Sequence, residues 1–168
     1  MFGGKQIPTS QALPNGVPSA EQRRGGFGIA YDADLVPALK NDHKALVQMY
    51  GELGQVAERG DFNQVPQMLL AFKVYLEGHL IAENVRFYNY VESTMQSDPE
   101  NIALIRSFRR EMNAIARGVV DFVKKYQLAD FDTGLRHEFM ADYKTVGGLL
   151  AQRIEREESS LYPLYMPR

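Results

Sequence analysis

The sequence predicts an all-α fold, an up-down-up-down antiparallel four-helix bundle. From Asp32 onward apolar residues recur every three or four positions, the period of an amphipathic helix, and no stretch of useful length alternates as a strand would. These residues form four long segments separated by short polar links, and short links favour antiparallel neighbours. The chain has 168 residues, of which 45% are hydrophobic and 24% charged, as is typical of one globular domain.

The first two helices are expected on either side of Gly60. The first covers roughly Asp32–Arg59, and Gly60-Asp61 then interrupts the apolar pattern. Asn63 is a suitable N-cap for a second helix, which extends to about Glu92.

The third and fourth helices have clearer starts. Asp98 followed by Pro99 is a typical beginning, because a capping residue precedes a proline in the first turn. The fourth helix is expected to begin at Asp132 or Thr133 and to end near Pro163, since proline cannot continue a helix.

The N-terminal segment differs from the rest of the chain. Residues 1–28 are rich in glycine and proline and poor in large apolar side chains. Such a segment cannot offset its own loss of conformational entropy. We therefore expect a disordered or loosely ordered tail over residues 1–28 and the bundle over residues 29–168.

Composition excludes several classes of function. The chain contains no cysteine, which rules out disulfides, thiolate metal sites and thiol nucleophiles. A formal net charge of −2 argues against nucleic acid as a partner. No apolar run is long enough to span a bilayer and no signal peptide is recognisable, so we expect no membrane partner and a cytoplasmic location.

Polar residues interrupt the inward apolar stripe of the predicted helices at one level. Equal rise per residue places positions equally far from a shared turn at the same height in antiparallel helices. This geometry predicts one transverse layer of inward residues: His43 on the first helix, His79 and Glu83 on the second, Met112 on the third, and Arg153 and Glu157 on the fourth. Burying such charges without partners costs several kcal/mol per ion, so they must pair or hold a metal.

Motifs around this layer carry a family resemblance. In chain order they are Asp42-His43, His79-x-x-x-Glu83, Glu111-Met112, Arg153-Ile154-x-x-Glu157-Glu158 and Leu161-Tyr162-Pro163. Over roughly residues 32–165 the sequence resembles the hemerythrin-like (HHE cation-binding) family, which has Asp-His, His-x-x-x-Glu, Glu-His and His-Ile-x-x-Glu-Glu motifs and a closing Leu-(Phe/Tyr)-Pro. The resemblance implies a hemerythrin-like bundle whose buried histidines and carboxylates bind two irons.

Two positions depart from the family pattern. Met112 and Arg153 stand at lost ligand positions, where the family has histidines. The arginine also adds a fixed positive charge, and a unit charge about 5 Å from a dication is repelled by roughly 6–7 kcal/mol at an effective dielectric near 20. These two substitutions argue against an ordinary di-iron site.

Three arrangements of the layer stay open. In the one that we favour, no cofactor is bound and Arg153 is a buried counter-ion in an Arg–Glu–His network. In the second, His43, His79, Glu83 and Glu157 are remnant ligands that bind one metal ion, with iron as the possible cofactor. The third is an ordinary di-metal site.

The functional expectation follows from these arrangements. We expect a non-enzymatic module that has lost its di-iron centre and acts in regulation through contacts with an unidentified protein partner, by fold-level analogy with bacterial regulators of the housekeeping sigma factor. The alternative is an iron-binding sensor or carrier for oxygen, nitric oxide or redox state, with a small gas as its ligand. No serine–histidine–acid set, phosphate-binding glycine loop or HExxH motif indicates an enzyme.

Two further groups of residues are assigned to packing and to the surface. Six tyrosines are expected to pack in the core and at its rim: Tyr75, Tyr88, Tyr90, Tyr143, Tyr162 and Tyr165. The charged run Arg106, Arg109, Arg110 and Glu111 is expected to be a solvated face of the third helix.

Overall fold

The computed structural model describes residues 29–168 and shows four antiparallel helical rods, as predicted. The first helix is Leu35–Glu58 and the third is Pro99–Tyr126. The second and fourth helices are continuous rods that change their winding partway along. The described residues contain no strand, so the all-α bundle is confirmed. The tail expected over residues 1–28 lies outside the described residues.

Each of the two composite rods contains a π-helical segment. The second helix runs through Val65–Ala82, a π-helical segment Glu83–Tyr88 and Asn89–Thr94. The fourth runs through Thr133–Arg156 and a π-helical segment Glu157–Leu161, and a 3₁₀ turn Tyr162–Leu164 follows.

The predicted starts of the third and fourth helices are confirmed by their caps. Asp98 accepts a hydrogen bond from the Asn101 backbone N–H at 3.2 Å. Asp132 accepts one from the Leu135 backbone N–H at 2.7 Å. Each carboxylate thereby satisfies an N–H group that has no partner within the helix.

The first two helix starts differ from the prediction. The first helix begins at Leu35 rather than Asp32, because the Asp32 side chain accepts a hydrogen bond from the Asp34 backbone N–H at 2.9 Å and forms a turn instead. Asn63 is not an α-helical cap. It lies inside a short 3₁₀ helix, Phe62–Gln64, after which the α-helix begins at Val65.

A polar layer separates two apolar core clusters. One cluster includes Leu46, Tyr50, Phe72, Val119, Phe139 and Leu150, and the other includes Leu39, Phe87, Val91, Ile105 and Leu161. The chain crosses between them four times, once along each helix. The residues at the crossings are those of the predicted layer, and all six are buried.

The first and fourth helices approach closely beside the first of these clusters. The Tyr50 and Tyr143 rings stack with centroids 4.4 Å apart, and each hydroxyl donates to the backbone carbonyl of the other residue, at 2.6 and 2.8 Å. Gly54 lies under the Tyr143 ring, where a Cβ atom would overlap the phenol. Within residues 29–168, no helix combines the length and the hydropathy needed to cross a bilayer.

Candidate metal centre

Four side chains that can bind a metal converge in the polar layer. His43, His79, Glu83 and Glu157 each offer one ligand atom, and these atoms lie within 4.8 Å of one another. All four side chains are buried, with at most 4% of any residue exposed. Three helices contribute: the first gives one imidazole, the second an imidazole and a carboxylate, and the fourth a carboxylate.

Both imidazoles are oriented by carboxylates at the edge of the layer. Nδ1 of His43 lies 2.7 Å from Oε2 of Glu158, and Nδ1 of His79 lies 2.8 Å from Oδ2 of Asp42. An ionised carboxylate only accepts hydrogen bonds, so each Nδ1 must donate. The lone pair of a neutral imidazole is then on Nε2, which faces the interior, and this is how metal-binding histidines are ordinarily held.

Arg153 binds both buried carboxylates from the fourth helix. Its Nη2 donates to Oε1 of Glu83 at 2.7 Å, and its Nε donates to Oε1 of Glu157 at 3.3 Å. Nη1 donates to the backbone carbonyl of Met112 at 2.9 Å. The guanidinium therefore links the second, third and fourth helices from within the layer.

Met112 fills the third-helix position with an apolar side chain. The residue is fully buried, and the hydrogen bond that it accepts from Arg153 is to its backbone carbonyl. A thioether is a poor ligand beside carboxylates that favour harder ions. The third helix therefore supplies no nitrogen or oxygen side-chain ligand at this level.

Tyr162 belongs to the layer, although the sequence assigned it to packing. Its hydroxyl donates to Oε2 of Glu83 at 2.5 Å and lies 3.2 Å from Nε2 of His43. Its ring stacks on His43 with centroids 5.6 Å apart. The motif Leu161-Tyr162-Pro163 contained the signal, because it directly follows the buried turn that carries Glu157.

The two buried carboxylates each begin a π-helical segment. Glu83 is the first residue of Glu83–Tyr88, and Glu157 is the first residue of Glu157–Leu161. A π turn adds a residue to the helix and redirects the side chains that follow, and such turns are frequent at functional sites. Sequence periodicity did not reveal either segment.

Arg109 supports the π-helical segment of the second helix. Its Nη2 donates to the backbone carbonyl of Asn84 at 3.3 Å, its Nη1 donates to Glu92 at 2.7 Å, and its guanidinium lies 5.1 Å from the centre of the Tyr88 ring. The expectation that Arg109 belongs to a solvated face was therefore wrong. The residue is half-buried because it occupies the side of the π turn.

Burial and neighbouring charges shift the pKa values of the two buried carboxylates in opposite directions and raise the pKa of His79. Burial alone would raise the pKa of Glu83, but His79, Glu157 and Arg153 together lower it. Burial and the Glu83 charge raise the pKa of Glu157. Burial alone would lower the pKa of His79, but the Glu83 carboxylate, with Asp42, raises it.

The phenol and the guanidinium keep their protons. Burial and the charges of Glu83 and Glu157 raise the pKa of Tyr162 far above its ordinary value, so its hydroxyl remains a donor. Burial would lower the pKa of Arg153, but the same two carboxylates raise it.

One imidazole nitrogen is buried without a hydrogen bond. Nε2 of His79 lies 3.4 Å from Oε2 of Glu83 without the geometry of a hydrogen bond, and it has no other partner among the described residues. A lone pair that faces a carboxylate is unfavourable unless a proton or a cation lies between them. The donor set therefore fits one metal ion bound by His43, His79, Glu83 and Glu157. It does not fit two, because Arg153 and Met112 occupy the remaining positions.

Comparison with known proteins identifies one family. Residues 34–165 match the model of the hemerythrin HHE cation binding domain. This range includes all four helices and all six residues of the polar layer. Neither a curated relative nor a solved structure matched the chain.

Proposed function

We propose that this chain is a regulatory module that binds one metal ion. It belongs to the hemerythrin HHE cation-binding family. The family resemblance suggests iron. The observation that carries the proposal is the convergence of four ligand atoms within 4.8 Å, with both imidazoles oriented by carboxylates and with Nε2 of His79 lacking a hydrogen bond.

The residues around the proposed ion support a single metal. Arg153 contributes one positive charge at a position where the family pattern has a ligand histidine, and it binds Oε1 of Glu83 and both carboxylate oxygens of Glu157. The negative charges of these two carboxylates would offset the repulsion between the guanidinium and a metal ion held by the layer. A second metal ion would have to displace Arg153 from these carboxylates.

The chemistry and burial of the ligands favour a sensor over an enzyme. Two imidazoles with carboxylates are a common ligand set for non-haem iron, which supplies redox and gas-binding chemistry when bound. The ligand atoms are buried, so a molecule much larger than a diatomic gas does not reach them unless the helices separate. Oxygen, nitric oxide or the redox state is therefore the proposed signal, and a protein partner is the proposed target.

A second candidate function needs no metal, and the Arg153 contacts favour it. With His79 protonated, the charges of Arg153 and His79 balance those of Glu83 and Glu157. The bundle would then be a regulatory module held together by a buried ion network. Metal content distinguishes the two candidates.

The test is iron content after anaerobic reconstitution with ferrous iron and removal of unbound metal. We expect about one iron per chain, with absorption bands that are lost in His79→Ala. His137→Ala is the matched control, because this histidine is exposed on the fourth helix and should leave the iron content unchanged. An iron-free wild-type protein would support the metal-free network instead.

A reverse substitution tests why the protein binds only one ion. Met112→His together with Arg153→His restores a nitrogen ligand at both lost positions. We expect this double variant to bind about two irons per chain. Two irons in the wild-type protein would contradict the role assigned to Arg153.

A further inference from the structure

A row of aliphatic side chains lies on the outer face of the second helix. Leu70, Val74, Ile81 and Val85, here called the outer stripe, are 52%, 63%, 64% and 53% exposed. The inward face of the same helix carries the buried residues Leu69, Phe72, Leu76 and His79. The second helix is thus apolar on opposite sides, although the bundle buries only one of them.

A helix with two apolar sides is typical of one that is buried on both. Scattered exposed leucines are ordinary, but aliphatic residues aligned on one face mark interaction sites. Gly78 lies in the middle of the outer stripe, and a Cβ atom there would meet nothing within 4 Å. Glycine inside a helix is unfavourable relative to alanine, and no neighbour in the described chain requires its small size. A surface that approaches from outside would use it.

The spacing of the residues in the outer stripe is symmetric about its centre. The intervals from Leu70 to Val74, to Ile81 and to Val85 are four, seven and four residues, the same in either direction. We propose that a second copy of this chain docks antiparallel on the outer stripe. Leu70 then lies opposite Val85 of the other copy and Val74 opposite its Ile81, with Gly78 close to the two-fold axis. In such an interface every contact occurs twice, which is the ordinary symmetry of homodimers.

The size of the outer stripe sets the strength of the contact. The stripe extends over about 22 Å of helix at 1.5 Å per residue. One helix face is smaller than the standard interface of about 800 Å² per partner. The dimer should therefore be weak, with a dissociation constant in the micromolar range. It does not depend on whether the buried layer holds a metal, because the outer stripe lies on the opposite side of the helix.

Sedimentation velocity over a concentration series tests the dimer. We expect the wild-type chain to change from monomer to dimer between low and high micromolar concentration. Val74→Lys with Ile81→Lys should weaken dimerisation by about 100-fold or more, because four ammonium groups would meet in the interface. Leu104→Lys with Leu128→Lys is the matched control, since these residues are also exposed and the charge change is equal. A wild-type monomer at every concentration, or an equal effect of both variants, would overturn the proposal.

Disulfide trapping tests the orientation, and the cysteine-free chain makes it unambiguous. A Leu70→Cys chain mixed with a Val85→Cys chain should form crosslinked heterodimers under mild oxidation. Neither chain alone should crosslink, because equivalent cysteines would lie about 22 Å apart and a disulfide requires Cα atoms within about 7 Å. Crosslinked homodimers of either chain without crosslinked heterodimers in the mixture would overturn the antiparallel arrangement, as would no crosslink at all.

Discussion

Arg153 is the residue whose chemistry decides what the polar layer can hold. Its planar guanidinium reaches Glu83 and Glu157 and donates to the Met112 carbonyl at the same time. A lysine has one nitrogen and does not match this fork. Because the charge of arginine cannot be titrated away in a protein, it is a permanent cation beside two buried carboxylates.

Replacing Arg153 by alanine should destabilise the metal-free protein strongly. Glu83 and Glu157 would lose their fixed counter-ion while remaining buried, and breaking a buried ion pair costs about 3–5 kcal/mol. The measurement is the free energy of unfolding in denaturant, with a chelator present. Arg156→Ala is the control, since Arg156 pairs with Glu111 at the surface and should cost at most about 1 kcal/mol. Equal stability of the two variants would remove the counter-ion role.

Replacing Tyr162 by phenylalanine should remove one donor from Glu83 and leave the ring stacked on His43. A hydrogen bond to a charged group contributes about 1.5–3 kcal/mol, so the free energy of unfolding should fall by that amount. Tyr90→Phe is the control, because the Tyr90 hydroxyl donates to the neutral Met166 carbonyl and should cost about 0.5–1.5 kcal/mol. A smaller loss for Tyr162→Phe than for Tyr90→Phe would show that the phenol does not stabilise the carboxylate.

Single residues were predictable where they broke a pattern. His43 and Glu157 stand where the helical period demands an apolar residue, so the sequence alone placed them inward. Tyr162 broke no pattern, because a buried tyrosine suits the core as well as a polar layer. Glu158 could not be assigned either, since its contact with His43 depends on the winding of the fourth helix.

At the scale of elements, both π-helical segments begin at a buried carboxylate. The extra residue leaves the predicted inward spacing intact up to Glu83 and Glu157, so periodicity gives no warning before the segment starts. Beyond Glu83 the buried positions broaden to Phe87, Tyr88, Tyr90 and Val91. The larger number of buried positions reflects the altered winding. However, an aromatic-rich helix end is expected to bury many residues without a π turn as well, so the sequence does not distinguish the two.

Two glycines of the first helix should respond to alanine substitution with opposite changes in stability, because only one of them packs against the fourth helix. Gly54→Ala should destabilise the protein by about 1–3 kcal/mol, because the new Cβ overlaps the Tyr143 phenol. Gly51→Ala on the same helix has open space and should stabilise it by about 0.5–1 kcal/mol. Thermal unfolding of both variants measures the difference. A destabilised Gly51→Ala together with a neutral Gly54→Ala would contradict this packing.

At the scale of the whole molecule, the polar layer divides the core and matches the four helices to one another. Apolar clusters lie on both sides of it, and the hydrophobic effect that holds them together is not directional. A buried ion network penalises such shifts, because they would leave charges without partners. We infer that the layer contributes to a unique arrangement of the helices as well as to the candidate site.

The bundle was predictable because length, period and capping residues agreed across the chain. The errors in the helix starts lay at two junctions where local hydrogen bonds compete with the α-helix. Asp32 bonds its own turn, and the chain before Val65 winds as a 3₁₀ helix. Such competition depends on a few hydrogen bonds rather than on periodicity, so the composition of the segment does not reveal it.

Anomalous X-ray diffraction at the iron edge, from crystals of the iron-reconstituted protein, tests the central claim most directly. We predict one iron peak per chain, bound by His43, His79, Glu83 and Glu157, with the Arg153 guanidinium still paired to the two carboxylates. Two iron peaks with Arg153 turned out to solvent would contradict the account, and so would the absence of any peak in this layer.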